Sequence, residues 1–170
     1  MKSRRVIVMR HSKSSWKDNL PDHERPLAGR GRRDGKAAGE LFERLGLRPD
    51  LVLCSTSTRT RQTLERLVLG GAEAEPVHYS EAIYDADGSD LLEVIRDTPA
   101  EVRTLLLIGH WPAVQDVVGL LATPDATDEN WRALCEKFPT SALAVVGVPG
   151  GWDEAGDGKG RLLGFHVPRG

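Results

Sequence analysis

The chain has 170 residues, of which 39% are hydrophobic and 28% charged, with 18 glycines and 10 prolines; these proportions exclude a disordered or collagen-like chain and suit one domain spanning residues 1–170. Its 25 acidic and 23 basic residues leave a formal net charge of -2, so no overall positive field draws it to nucleic acid or to an anionic membrane. The apolar runs fall far short of the roughly 20 residues of a membrane span.

The first strand is expected at Val6 to Met9, running into Arg10-His11-Ser12. It follows a basic start whose apolar run is too short for a signal-peptide core, so a cytoplasmic protein is expected. From Gly31 to Leu47, Ala37, Ala38, Leu41, Phe42 and Leu45 recur at helical spacing, with Arg32, Arg33, Lys36, Glu40, Glu43 and Arg44 on the other side. A second strand, Leu51 to Cys54, ends in Ser55-Thr56-Ser57 and is followed by a helix from Thr58 to Leu69 with Leu64, Leu67 and Val68 inward, closed by Gly70-Gly71.

A short helix, Leu91 to Asp97, takes Ser89 or Asp90 as its cap, with Pro99 just beyond. The strand Leu105 to Ile108 leads into Gly109-His110-Trp111, and Pro112 suits the first turn of a helix reaching Ala122. A fifth helix is expected over Glu129 to Phe138, and strands over Ser141 to Val148 and Arg161 to Val167, joined by a mobile Gly-rich turn from Pro149 to Gly160. Cys54 and Cys135 read as free, partly buried thiols of a reducing compartment.

Unbroken apolar runs of four residues mark strands buried on both faces. Alternating with helices, they predict a three-layer α/β/α sandwich with a mostly parallel central sheet. Ligands of such sheets bind beyond the carboxyl ends of the strands, where the polar residues are delivered. Arg10, His11, Ser55, Arg59 and His110 are therefore expected to converge, although a hundred residues of sequence lie between the first and the last.

That set has a definite chemistry. Two guanidinium groups can hold the equatorial oxygens of a phosphoryl group and neutralise its charge in the transition state. A neutral imidazole nitrogen can attack phosphorus and carry it as a covalent intermediate, while a second histidine donates to the same oxygens. Helices starting after Ser57 and Trp111 would point their positive ends at the anion. No metal or other cofactor is needed.

The same residues resemble the histidine phosphatase superfamily, and more closely its small SixA-type phosphohistidine phosphatase branch. The matching segments are Val8-Met9-Arg10-His11-Ser12-Lys13-Ser14-Ser15-Trp16, then Asp22-His23-Glu24-Arg25-Pro26-Leu27 with Arg30-Gly31, then Ser55-Thr56-Ser57-Thr58-Arg59-Thr60-Arg61-Gln62-Thr63, and finally Leu107-Ile108-Gly109-His110-Trp111-Pro112. The resemblance implies a phosphoglycerate mutase-like fold, His11 as nucleophile, and Arg10, Arg59 and His110 around the phosphoryl group.

Three positions depart from the family pattern: Ser12 replaces the usual Gly after the first histidine, Thr56 replaces a Pro, and Lys17 stands where mutase relatives carry Asn. Ser14 and Lys17 are the candidates to supply the contact that the Asn makes. The general acid implied by the resemblance is Glu81, which stands about where many members carry an acid after the third strand, with Asp18 and Asp85 as competitors.

A metal-independent phosphatase acting on phosphohistidine in proteins or on small phosphoesters is thus expected, as a monomer with an open site whose partner is the phosphorylated substrate. A sugar or nucleotide phosphatase or mutase on the same scaffold, a metallohydrolase, and a phosphate-binding module without turnover are the rival readings. The cluster Arg30, Arg32, Arg33 and Lys36 reads as a solvated helix face, with steering of an acidic phosphoprotein as the alternative. Trp16 and Trp111 either wall the pocket or pack under the loops; Trp131 and Trp152 read as structural.

Overall fold

The computed structural model describes residues 3–170. Strands β1 (Arg4–Arg10), β2 (Leu51–Ser55), β3 (Val77–Ser80), β4 (Thr104–Gly109), β5 (Leu143–Val148) and β6 (Arg161–His166) form one sheet in the order β3-β2-β4-β1-β5-β6. The first four run parallel, β5 pairs antiparallel with β1, and β6 antiparallel with β5. Helices α1 (Gly29–Leu45) and α2 (Thr58–Gly70) cover one face; α4 (Gly88–Arg96), α5 (Ala113–Leu121) and α6 (Glu129–Glu136) cover the other, and one-turn α3 (Glu81–Tyr84) follows β3.

The apolar runs read as unbroken because successive side chains enter different cores. In β1, Val6 and Val8 pack with Leu91, Ile95, Val114 and Leu134, whereas Ile7 and Met9 pack with Ala38, Phe42, Leu64 and Leu67. Each strand is thereby fixed in register from both sides, and its polar terminal residues must emerge at the same edge.

Several local expectations shift. α1 starts two residues earlier than its pattern predicts and stops at Gly46, whose φ of 65° is the left-handed conformation that favours glycine. Leu45 therefore faces solvent, and Leu47, folded back by its N–H bond to the Phe42 carbonyl, fills the core instead. Val68 is also exposed, because Leu67 takes the inward position of α2. The cap of α4 is Asp87; Asp90 is its reciprocal partner within the first turn, and Ser89 does not cap. α6 stops at Glu136, and Ser141, with φ of 67°, lies before β5 rather than in it. Cys54 is buried and Cys135 exposed, both as free thiols. Strand β3 and helix α3 carried no clear sequence signal: β3 is a four-residue edge strand in which only Val77 is aliphatic.

The segment 149–160 departs furthest from expectation. It follows the end of β5 that pairs with Arg4, at the opposite end of β1 from His11, so it does not cover the site. Trp152, 1% exposed, donates its indole N–H to the Val102 carbonyl at 2.8 Å, and Arg96 Nε donates to the Ala155 carbonyl at 2.8 Å. The turn is a packed plug held by a buried aromatic, not a mobile loop.

α1 and α2 meet through small residues. A Cβ on Gly39 would stand 2.1 Å from the Leu67 carbonyl oxygen, and one on Gly70 2.1 Å from that of Lys36. Helix propensity alone would favour Gly39→Ala by about 1 kcal/mol, yet overpacking against a backbone oxygen costs about 1–3 kcal/mol. Gly39→Ala is therefore expected to lower the urea midpoint at unchanged m-value; a rise would show that the helices separate freely.

Candidate active site

His11 leaves the end of β1 buried, 7% exposed. Its Nδ1 lies 2.7 Å from the Ser12 carbonyl oxygen; a carbonyl only accepts, so Nδ1 carries the proton and Nε2 keeps its lone pair. The loop that supplies this carbonyl is pinned on both sides. The Ser12 N–H donates to Thr63 Oγ1 at 2.9 Å, the hydroxyls of Ser12 and Ser141 share a 2.6 Å hydrogen bond, and the Ser141 N–H donates to the His11 carbonyl at 3.1 Å.

His110 arrives from the end of β4, its ring centroid 5.3 Å from that of His11. Arg59 Nη2 lies 3.4 Å from His110 Nδ1; a guanidinium only donates, so Nδ1 accepts and the Nε2–H donates to Ser55 Oγ at 2.8 Å. Arg59 sits in the first turn of α2, which is capped by Ser57. Arg10 donates to the Phe138 carbonyl at 2.9 Å, and its guanidinium lies 5.8 Å from the Trp111 ring centre. The Nε–H groups of Arg10 and Arg59 are buried with no hydrogen-bond partner among the described residues, as is that of Arg4 at the far end of β1. Arg10, His11, Ser55, Arg59 and His110 thus come together from three strand ends.

Electrostatics make both imidazoles neutral. Burial, opposed by the Ser12 hydrogen bond and reinforced by His110, Arg59 and Arg10, pushes His11 down to about 3. Burial and the charge of Arg59 push His110 down to about 4. A neutral nitrogen nucleophile beside guanidinium donors is suited to accept a phosphoryl group.

The site also contains residues to which no role was assigned from sequence. Arg59 donates through Nη1 to the Asp22 carbonyl at 2.7 Å and through Nη2 to Asp22 Oδ2 at 3.0 Å. Tyr84 donates its hydroxyl to the same carboxylate oxygen at 2.6 Å, and Arg25 Nε lies 3.2 Å from Oδ1. The Tyr84 hydrogen bond first, then Arg59 and Arg25, hold the Asp22 carboxyl down at about 2. His23 and His110 both pack edge-on against the Tyr84 ring, at 4.8 and 5.4 Å. Asp22 and Arg25 lie in a segment that carried the family resemblance, which was their only signal; Tyr84 had none.

Other expected site residues stand apart. Ser14 is buried but accepts from Arg25 Nη1 at 2.8 Å, so it holds Arg25, whose guanidinium lies 3.5 Å over the exposed Trp16 ring. Lys17, Asp18, Glu81 and Asp85 are exposed, and their side chains make no hydrogen bond or ion pair among the described residues. Trp16 and Trp111 are 73% and 53% exposed, at the mouth rather than under the loops.

The sequence model of the family described as "Histidine phosphatase superfamily (branch 1)" matches residues 6–103. The chain belongs to that superfamily. Among its relatives, an uncharacterized protein of Mycobacterium tuberculosis is 42% identical, covering 95% of this chain and 100% of its own length. Two similar solved structures are a candidate phosphohistidine phosphatase SixA from Nakamurella multipartitia (27% identity, TM-score 0.82, 99% and 98% of the two chains) and one from Agrobacterium tumefaciens (28%, 0.77, 97% and 98%). The sandwich is the phosphoglycerate mutase-like fold of the histidine phosphatases.

Within this superfamily the departures acquire reasons. Ser12 replaces Gly and uses its hydroxyl to bind Ser141; Thr56 replaces Pro and its hydroxyl lies 2.8 Å from His23 Nε2. The Gln62-Thr63 pair of this histidine phosphatase ties two loops to α2, since Gln62 Oε1 accepts the Leu27 N–H at 2.8 Å and Thr63 anchors Ser12.

Buried neutral imidazoles leave a signature in stability. The unfolded chain protonates His11 and His110 near 6.5, the folded chain only near 3 and 4. Between those values the unfolded state binds more protons, so stability declines as pH falls below about 6.5. Asp22 acts in the same direction lower down: its contribution is present above 3.8 and is lost as pH falls through about 2. Urea midpoints are expected to fall from pH 7 to pH 5, and to fall less in a His11→Asn/His110→Asn variant; equal slopes would refute neutral burial.

Proposed function

We propose that the protein is a metal-independent phosphatase that removes phosphoryl groups from phosphohistidine on proteins, or from small phosphoesters, through a covalent intermediate on His11. The observation that carries this reading is His11 itself: buried, with Nδ1–H engaged and an unprotonated Nε2, and facing His110 at 5.3 Å. The candidate SixA structures at 27% and 28% identity support the substrate class.

In the first step the Nε2 lone pair forms a bond to phosphorus while the bond to the leaving group breaks and its electron pair departs with that group. The imidazolium left on His11 keeps its Nδ1–H bond to Ser12. Arg10 and Arg59 donate to the phosphoryl oxygens, and His110 adds a third donor when its Nε2–H exchanges Ser55 for a phosphoryl oxygen. Water then attacks phosphorus; the P–N electron pair returns to Nε2, and both protons of the water leave on the released dihydrogen phosphate. A phosphohistidine protonated on its distal nitrogen leaves as neutral imidazole, so an acid at Glu81 is dispensable for that substrate. The substrate partner, monomeric state and cytoplasmic setting belong to the same proposal.

Brief incubation with a radiolabelled phosphohistidine peptide is expected to leave acid-labile, base-stable label on the enzyme. His11→Ala should carry none and should be slower by at least about 10³-fold; label on the variant, or an unchanged rate, would overturn the reading. Arg59→Ala is expected to lower kcat/KM by about 10²–10³-fold, and a chelator should leave the wild-type rate intact.

A further inference from the structure

A carboxylate beside an anion site needs a reason. Asp22 takes both terminal nitrogens of Arg59, the residue that supplies a buried donor for the phosphoryl group. An ionised side chain there repels an incoming phosphate, and it cannot serve as a general acid because it holds no proton near neutral pH. Yet its position is built with care: Arg59 from α2, Tyr84 from α3 and Arg25 from the loop after β1 all donate to it, while 49% of the side chain still reaches solvent.

We propose that Asp22 is the acceptor for the leaving group, taking the N–H that a phosphorylated nitrogen group such as a phosphoimidazole carries opposite its P–N bond, and so selecting nitrogen-bound over oxygen-bound phosphoryl groups. This rests on the function proposed above and names its substrate class more narrowly. The donors already on Asp22 fix its two oxygens, and an anion at that place stabilises a cationic phosphoimidazole in its protonated form. When His11 Nε2 bonds to phosphorus, the P–N electron pair returns to the departing ring, which keeps its N–H on Asp22 and leaves neutral. An ester oxygen offers no such proton, so toward that leaving group the carboxylate is repulsive. The charged or titratable groups around it are Arg59, Arg25, His23, Tyr84 and His110, and the protonation of the substrate ring is the event that Asp22 biases.

The test compares wild type with Asp22→Asn, which keeps the shape and an accepting oxygen but removes the charge. kcat/KM is measured for a phosphohistidine peptide and for p-nitrophenyl phosphate across pH. The ratio of the two is expected to fall at least about 10-fold in the variant, and the alkaline limb of the phosphohistidine profile to move to lower pH. Equal losses on both substrates with an unmoved limb would overturn the proposal, showing that Asp22 acts only by holding Arg59. A wild type that hydrolyses the aryl phosphate but not the phosphohistidine peptide would instead sink the substrate reading on which it rests.

Discussion

A single hydrogen bond, from His11 Nδ1 to the carbonyl of the next residue, decides what the rest of the molecule can do. It chooses the tautomer, and with it which nitrogen keeps a free lone pair. A carbonyl one residue away reaches that proton only if the loop after β1 is bent and held, which explains the investment around it. Thr63 of α2 and Ser141 before β5 grip Ser12, and Gly31 of α1 comes so close that a Cβ would stand 2.0 Å from the Lys13 carbonyl oxygen. Elements far apart in sequence are thus recruited to one peptide.

The sheet turns that local arrangement into a site. Because β1, β2 and β4 are parallel neighbours, their carboxyl ends lie side by side, and the imidazoles and guanidinium groups meet without long loops. Burial then removes the protons from both rings, which stand beside two guanidinium groups. The result is a positive, partly desolvated site containing neutral imidazoles, a combination that water-exposed side chains of the same kinds would not give.

Much of this was legible in the residues. The unbroken apolar runs forecast two-sided burial, and the polar triplets at their ends forecast convergence of His11, Arg59 and His110. What escaped was set by contacts with no local signature. Leu45 and Leu47 traded places because a left-handed glycine ended α1 early. Asp22, Arg25 and Tyr84 come from a loop and a one-turn helix, elements without periodicity, and only three-dimensional packing brings them to Arg59. Segment 149–160 looked mobile from its glycines, yet Trp152 anchors it; composition reports backbone freedom and not the aromatic that removes it.

The indole of Trp16 stacks on Arg25, and Arg25 is tied through Asp22 to the guanidinium of Arg59. The Trp16 ring is itself in water, whereas Trp152 lies in a dry core at the other end of the sheet. Two of the four tryptophans thus stand at opposite ends of the sheet in opposite media, one indole in water beside the linked charges and the other sealed in a dry interior.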